Sequence, residues 1–191
     1  MSGRNRKETI LLMVLLLVLF LSWNVLSFGE FYAIPVLKSC TCKGTLNGTR
    51  WCDNGDGTVT DLTTCLVWLK KANWGEAKKW EDCTDHDDAH TRAGILHAGS
   101  AGANLTDNSI EGDWRLPRKT ELYNLANGTE AVRSGTMRAF TGVETDHSFY
   151  WSSTTYANDT SQAWCVTLDG GLCGIGRKIL PYYVWPVRDG Q

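Results

Sequence analysis

From Arg50 onward the chain consists of short β-type stretches separated by turn residues, and this alternation limits its fold more than any other feature. Residues 58–68, TVTDLTTCLVW, are rich in β-branched residues and follow a Gly-Asp-Gly turn, which predicts the strands of a hairpin or meander. Four further strand candidates lie towards the C-terminus, at residues 149–156, 163–168, 172–176 and 182–188.

Helical patterning is confined to a few segments. Residues 73–83 contain good helix formers and predict a helix, and one helical turn is expected near residues 91–96. In residues 113–128, Pro117 suits the first turn of a helix, and apolar residues recur at spacings of three and four until Gly128. The sequence therefore predicts an α+β fold, rich in strands, with one or two short helices and long loops.

Six of the nine tryptophans stand inside strand-like stretches. A side chain of this size usually fills a core, so we expect core packing rather than stacking against a sugar at each of them. The six are Trp51, Trp68, Trp114, Trp151, Trp164 and Trp185.

The N-terminus has the order of a secretory signal: a basic start, twelve uninterrupted apolar residues at 10–21, then a more polar stretch. Small residues at 27 and 29 favour cleavage before Glu30. An uncleaved anchor over residues 10–28 is the alternative, because about 20 apolar residues span a bilayer. Both interpretations export the rest of the chain, to the periplasm, cell surface or medium. The expected organisation is a signal or anchor at 1–29, a tether at 30–49 and one domain at 50–191.

All seven cysteines follow the apolar run, as expected for a chain that reaches an oxidising compartment. Cys165 and Cys173 flank an Asp-Gly-Gly turn, and their even separation predicts a cross-strand disulfide. Cys52 and Cys65 flank a second turn region and form the second predicted pair. The remaining three are Cys40, Cys42 and Cys83, and an odd count implies a free or intermolecular thiol.

Composition and motifs exclude several functions. Residues 30–191 carry a net charge of −4, which argues against nucleic-acid binding. The sequence lacks a nucleophile elbow, a zinc-protease motif, a P-loop and a dinucleotide fingerprint, so we expect neither catalytic residues nor a cofactor.

The acidic run EDCTDHDDAH at residues 81–90 has carboxylates and imidazoles of the kind that bind metals. Its spacing shows no convergence, so we interpret the run as a solvated loop and expect no metal. The segment DNGDG at residues 53–57 lacks the glutamate that closes a calcium loop, and a tight turn is the better interpretation.

Several of these stretches occur together in one known order. The motifs, in that order, are DNGDGTVTD, WRLP followed by EL, YWSST, AW before a Gly-Gly turn, and VWPVR. Through these motifs, residues 50–188 resemble the C-terminal domain of the Legionella collagen-like protein. The resemblance implies a C-type-lectin-like fold, distantly akin to formylglycine-generating enzymes, in an exported and non-catalytic protein. The namesake domain forms trimers and adheres to sulfated glycosaminoglycans.

This chain departs from that pattern in three ways. It has Arg118 where relatives usually have a threonine that could cap the following helix, so another group must cap it. It has no Gly-X-Y stalk that would enforce a trimer. Residues 115–191 have a net charge of only +1, too little for a groove that holds a sulfated polymer.

A lectin-like fold would bring the loop at 156–162 close to Arg177 on a variable face. The ligand-binding residues predicted on this basis are Tyr156, Asn158, Asp159, Arg177 and Lys178. The expected partner is a surface glycan or a protein, with the membrane involved only through residues 10–28 if these are uncleaved, and a homo-oligomer is compatible with this. The alternatives are a thiol or metal enzyme related to formylglycine-generating enzymes, with Cys165 and Cys173 as the reactive pair, and a structural subunit of an envelope or filament.

Overall fold

The computed structural model describes residues 40–82, 84, 86–132 and 138–190, and this part forms two five-stranded sheets and two short helices. Within it no helix is long and apolar enough to cross a membrane. The predicted signal or anchor at 1–29 lies outside the described residues. The strands are β1 (Thr45–Asn47), β2 (Trp51–Asp53), β3 (Thr58–Asp61), β4 (Leu66–Leu69), β5 (Ala77–Lys78), β6 (Phe149–Thr155), β7 (Gln162–Thr167), β8 (Cys173–Arg177), β9 (Tyr182–Tyr183) and β10 (Val187–Asp189), and the helices are α1 (Ala89–Gly94) and α2 (Lys119–Asn127).

The first sheet has the order β1-β2-β3-β4-β10 and is antiparallel throughout. Strands β2 and β3 are joined by the predicted tight turn, in which Gly55 and Gly57 adopt positive φ angles that glycine tolerates best. Strands β3 and β4 confirm the hairpin predicted over residues 58–68. The described part of the expected tether contributes strand β1, which pairs with β2.

The second sheet has the order β5-β9-β6-β7-β8 and contains one parallel pair, β6 with β9. The hairpin of β7 and β8 places Trp164 opposite Ile175 and Cys165 opposite Gly174. The strand predicted over residues 182–188 is two strands in different sheets. Pro186 separates them, because it lacks the N–H group that a continuous ladder needs.

Tryptophans from both sheets build the core. Trp185 contacts Trp68 and Phe140 edge to face, and its Nε1 donates to the Leu69 carbonyl at 2.7 Å. Core packing is confirmed for five of the six predicted tryptophans, namely Trp51, Trp68, Trp114, Trp151 and Trp185. The prediction is wrong for Trp164, which is only half-buried.

Helix α2 confirms the helix predicted within residues 113–128 and ends at Gly128. Its first turn is capped without a hydroxyl at Arg118. The Glu121 carboxylate accepts from the Arg118 N–H at 2.7 Å, and the Thr154 hydroxyl accepts from the Lys119 N–H at 3.0 Å. Helix α1 begins after Asp88, whose carboxylate accepts from the Thr91 N–H at 2.8 Å.

The helix predicted at 73–83 is wrong for the described residues of that segment, which form a turn followed by β5. Glu76 adopts a φ of 59°, outside the right-handed helical region. A Cβ at Gly75 would lie 2.5 Å from the Val184 side chain, so this turn packs closely against the segment that contains Val184. Pairing with β9 and this close approach override the local helix propensity.

The disulfide between Cys52 and Cys65 is a wrong prediction. The structure joins Cys42 to Cys52 and Cys40 to Cys65, with Cα–Cα distances of 5.4 and 5.5 Å. Strand β3 lies between β2, which holds Cys52, and β4, which Cys65 precedes. Strands two positions apart are separated by about 9.5 Å, beyond the reach of a disulfide.

The disulfide between Cys165 and Cys173 is also wrong, since both residues are free thiols. In the β7–β8 register Cys165 stands opposite Gly174, while Cys173 stands opposite Val166. Neighbours along a strand point to opposite faces, so the two thiols lie on opposite faces of the sheet. The turn between β7 and β8 has an even number of residues, so residues that stand directly opposite each other are an odd number of positions apart in the sequence. The separation of Cys165 and Cys173 is even, so they cannot be such a pair. Cys83 lies outside the described residues.

Candidate functional site

The loop between β6 and β7 lies beside the end of β8, as the sequence predicts. Gln162 pairs with Arg177, and the Lys178 N–H donates to the Ser161 carbonyl at 3.0 Å. Tyr156, at the start of the loop, places its ring edge to face on Trp164, with 5.4 Å between centroids. The structure therefore brings the predicted binding residues together at one end of the hairpin.

Several polar side chains of the β6–β7 loop form hydrogen bonds with other groups of the same loop. The Asp159 carboxylate accepts from the N–H and hydroxyl of Ser161 and from the Gln162 amide, and these hydrogen bonds lower its pKa. The Asn158 amide donates to the Tyr156 hydroxyl at 3.1 Å. These bonds fix the loop conformation, and they leave Asp159 with less capacity for a ligand than its exposure suggests.

The two cations predicted to bind ligand differ in environment. Lys178 is mostly covered, with its Nζ 3.8 Å from the centroid of the Trp80 ring and 3.7 Å from a Glu81 carboxylate oxygen. Its ammonium is thus engaged by the protein. Arg177 is exposed and lowers the pKa of Asp159 by its charge. Of the two, Arg177 is the better placed to meet a partner.

A groove of about 380 Å³ lies between helix α2 and the β7–β8 hairpin. This volume falls in the range of small-molecule sites. We call it the α2–β7 groove and define it by the six residues that line it: Lys119, Thr120, Tyr123, Asn124, Trp164 and Cys173.

An aromatic surface forms one wall of the groove. Trp164 is half-buried, and the Nζ of Lys119 lies 3.1 Å from the centroid of its ring. Tyr123 is 44% exposed and stands on the helix that forms the other wall. With the Asn124 amide and the Thr120 hydroxyl, the groove combines flat apolar surfaces with hydrogen-bonding groups and one cation.

Contacts at the start of α2 hold the groove in shape. The Arg115 guanidinium binds the Glu121 carboxylate through two hydrogen bonds, of 2.8 and 3.0 Å, and this pairing raises the pKa of Arg115. The same carboxylate caps the helix. Arg115 is itself bonded to strand β10 of the first sheet, and the Thr154 hydroxyl of β6 accepts from the Lys119 N–H. The start of α2 is therefore held by both sheets, and a ligand would meet a preformed surface.

The thiols are poorly suited to nucleophilic chemistry. Burial raises the pKa of Cys165 to about 12, and burial also raises the pKa of Cys173, which lines the groove. A raised pKa disfavours the thiolate, the form that attacks a substrate. The two sulfurs also lie on opposite faces of the sheet, so they do not form a reactive pair.

The described residues of the acidic run 81–90 have structural roles. Asp82 pairs with Lys79 at 2.6 Å, and this hydrogen bond contributes most to lowering the pKa of Asp82. Asp88 caps α1, and the His90 ring packs edge to face on Trp80. In the part of the chain that the structure describes, no three metal-binding side chains converge.

A second cavity of about 380 Å³ lies against the first sheet. Three of its lining residues form a network: the Asp107 carboxylate accepts from Arg188 at 3.0 Å and from the Ser109 hydroxyl at 2.7 Å. The Ser109 hydroxyl in turn accepts from Trp114. The lining of this cavity is mainly polar and includes no aromatic side chain, whereas the α2–β7 groove has Trp164 and Tyr123.

Sequence reasoning missed most of the groove. Lys119, Thr120, Tyr123 and Asn124 stand at helical spacings of three and four, on the face of α2 opposite its buried leucines. That stripe is visible in the sequence and pairs an aromatic residue with polar ones. The exposure of Trp164 cannot be predicted from the sequence, because it depends on which part of β7 helix α2 leaves uncovered.

The comparisons with known proteins concern most of the chain. The family model of the Lcl C-terminal domain matches residues 57–188, which include both helices and strands β3 to β9. A search of curated proteins finds no match.

Proposed function

Since the chain belongs to the Lcl C-terminal domain family, we propose that it is an exported, non-catalytic binding domain with a C-type-lectin-like fold, which recognises a surface carbohydrate through the α2–β7 groove. The observation that carries this proposal is the environment of Trp164. Five other tryptophans in strand-like stretches are buried, and this one is open to the groove.

The groove has the chemistry that a sugar ring requires. A pyranose has an apolar face of C–H groups, which packs on a flat aromatic ring such as Trp164, and equatorial hydroxyls that need donors and acceptors. Asn124 and Thr120 provide both at the groove wall. The ammonium of Lys119 already lies 3.1 Å from the centroid of the Trp164 ring, so a sugar would displace it or pack on the part of the ring that it leaves open, with the ammonium as a neighbouring donor.

Other features support an exported and non-catalytic protein. Two disulfides hold the first sheet, which fits an oxidising compartment. The raised pKa of Cys165 and the separation of the two thiols favour binding over thiol catalysis. Membership of the family is consistent with a surface-associated role.

Glycan arrays test this function. We expect the purified wild-type protein to bind one class of glycan saturably. Trp164→Ala should lose that binding, because the substitution removes the ring on which the sugar packs. Ile110→Ala is the matched control, since Ile110 is 67% exposed and lies outside the groove. Equal binding by Trp164→Ala and wild type would contradict the groove as the site. Binding to extracellular proteins and to no glycan would contradict carbohydrate recognition.

A further inference from the structure

Strand β8 ends the second sheet, and its outer edge has unpaired backbone groups. The Thr167 N–H donates to the Leu172 carbonyl and the Lys178 N–H to the Ser161 carbonyl, so even-numbered residues of this segment face β7. Cys173 and Ile175 therefore present both backbone groups outward, and Arg177 presents its N–H, since its carbonyl accepts from the Leu180 N–H at 2.9 Å. Within the described residues, the outward groups of Cys173 and Ile175 have no backbone partner.

Features that protect the other edges are missing from β8. Strand β5 has only two residues, and its Lys78 forms ion pairs with Glu76 and Asp87. Strand β10 exchanges two backbone hydrogen bonds with Arg115. In β1, the Asn47 amide donates to the Thr45 carbonyl. Strand β8, with the sequence CGIGR, has no proline, lysine or bulge that would discourage pairing.

Exposed apolar side chains concentrate at this edge. Of the eight large hydrophobic side chains that are exposed in the described part of the chain, four fall within nine residues: Leu172, Ile175, Ile179 and Leu180. Leu172 is 69% exposed and Ile179 is 58% exposed. An apolar cluster at an open edge is typical of a surface that another chain covers.

We propose that β8 pairs with β8 of a second copy of this chain, antiparallel and across a two-fold axis at Ile175. The second sheets of the two copies would then join into one sheet of ten strands. The outward groups of Ile175 would bond with those of the same residue in the partner, and Cys173 would stand opposite Arg177 of the partner subunit.

Charge disfavours a register shifted towards the C-terminal end of β8. An axis at Ile175 places each Arg177 opposite a neutral Cys173, whereas an axis shifted to residue 177 would set two arginines directly against each other. The same axis brings Leu172 of each copy near the turn that follows β8 in the partner subunit. That turn holds exposed apolar side chains, so the exposed leucine would lie close to apolar surface.

The pairing also changes the groove. Directly opposed residues of an antiparallel pair share a face, so Arg177 of the partner subunit would reach the side of the sheet where Cys173 lines the groove. It would add a second cation to Lys119 and favour acidic sugars. This consequence rests on the proposed function, whereas the pairing of β8 does not.

Directed cross-linking of the full-length protein tests the pairing. We expect Ile175→Cys, in a Cys83→Ser/Cys173→Ser background, to form a disulfide-linked dimer under mild oxidation, because opposed residues at this spacing, about 5.5 Å between Cα atoms, suit a disulfide. Ile110→Cys in the same background is the matched control and should stay monomeric. Both side chains are exposed, so neither substitution disturbs the core.

Sedimentation of the protein without cysteine substitutions provides the second measurement. The interface is small, so we expect a weak dimer that Ile175→Lys abolishes and Ile110→Lys retains. Equal cross-linking by Ile175→Cys and Ile110→Cys would overturn the proposal, and so would an Ile175→Lys variant that dimerises like wild type. Neither readout involves a glycan, so failure of the proposed function would leave this result intact.

Discussion

The two sheets of this protein are stabilised in different ways. The first is fastened by two disulfides and by a buried ion pair, in which the Arg50 guanidinium binds the Asp61 carboxylate at 2.7 Å. The second has two unpaired thiols, a half-buried tryptophan and an open edge strand. Both disulfides and the most deeply buried ion pair thus belong to the first sheet, while the exposed aromatic and apolar surface is concentrated at the second.

This division has a physical reason. A surface that binds a partner must leave apolar groups exposed, which costs stability because those groups gain nothing from burial in the free protein. Constraints elsewhere in the domain offset that cost. We therefore expect substitutions in the first sheet to cost more stability than substitutions in the second.

Removing the buried cation should have the largest effect. Arg50→Ala leaves the Asp61 carboxylate, 2% exposed, without its partner, and we expect a loss of about 3–5 kcal/mol in the free energy of unfolding. Urea denaturation followed by tryptophan fluorescence measures it. Lys70→Ala breaks a more exposed pair with Asp53 and should cost about 1 kcal/mol or less. Equal losses in both variants would contradict the special role of the buried pair.

Removing a disulfide should come next. The double variant Cys42→Ser/Cys52→Ser opens a link across ten residues, and chain entropy predicts a loss of roughly 3 kcal/mol. Chemical denaturation under non-reducing conditions measures it. In the second sheet Cys173→Ser should change stability by about 1 kcal/mol or less, because this thiol is half-buried and unpaired. A larger loss from Cys173→Ser would reverse the comparison.

Acid should act on the first sheet through Asp61. Its pKa is lowered in the folded state: burial raises it, but the Arg50 hydrogen bond and charge and the bonds from Thr63 and Thr64 outweigh that effect. The stabilisation is complete above the unfolded pKa of about 3.9 and is lost as the pH falls through the lower folded value. We expect the free energy of unfolding to fall below about pH 4. In Asp61→Asn the fall should be shallower, and an unchanged slope would exclude this carboxylate as its source.

The smallest effect should come from the N-terminal cap of helix α2, which packs beside the second sheet. Arg118 has the extended conformation of a cap residue but offers no hydroxyl. Arg118→Thr should stabilise the protein by up to about 1 kcal/mol, because the threonine oxygen can accept from an N–H of the first helical turn. Thermal unfolding detects the gain, and Arg118→Val, which has a similar shape and no hydroxyl, is the control. A gain of the same size with valine would show that capping is not the cause.

The sequence predicted most of the strands because their pattern is local. The hairpin at 58–68, the strands β6, β7 and β8 and helix α2 all follow from residue type, spacing and turn chemistry. The helix expected over 73–83 failed because its outcome depends on pairing with β9, a strand about a hundred residues away. Such long-range contacts leave no trace in a short window of sequence.

The disulfides and the groove were harder to predict for related reasons. Cys165 and Cys173 flank a turn as expected, but a shift of one residue in register decides whether their side chains share a face. The exposure of Trp164 depends on where α2 packs. The neighbourhood of Tyr156 and Arg177 was expected from the resemblance to a lectin-like fold, and the pairing of Gln162 with Arg177 accounts for it in this structure.

Amide hydrogen exchange in the presence of an oligosaccharide selected on the array would show which sheet holds the binding site. Bound sugar should slow exchange at residues 119–124 and 162–177, which form and support the α2–β7 groove, and leave the first sheet unchanged. Slower exchange confined to the cavity beside Asn54, Asp107 and Arg188 would contradict the account, because recognition would then lie in the sheet that we assign to stability.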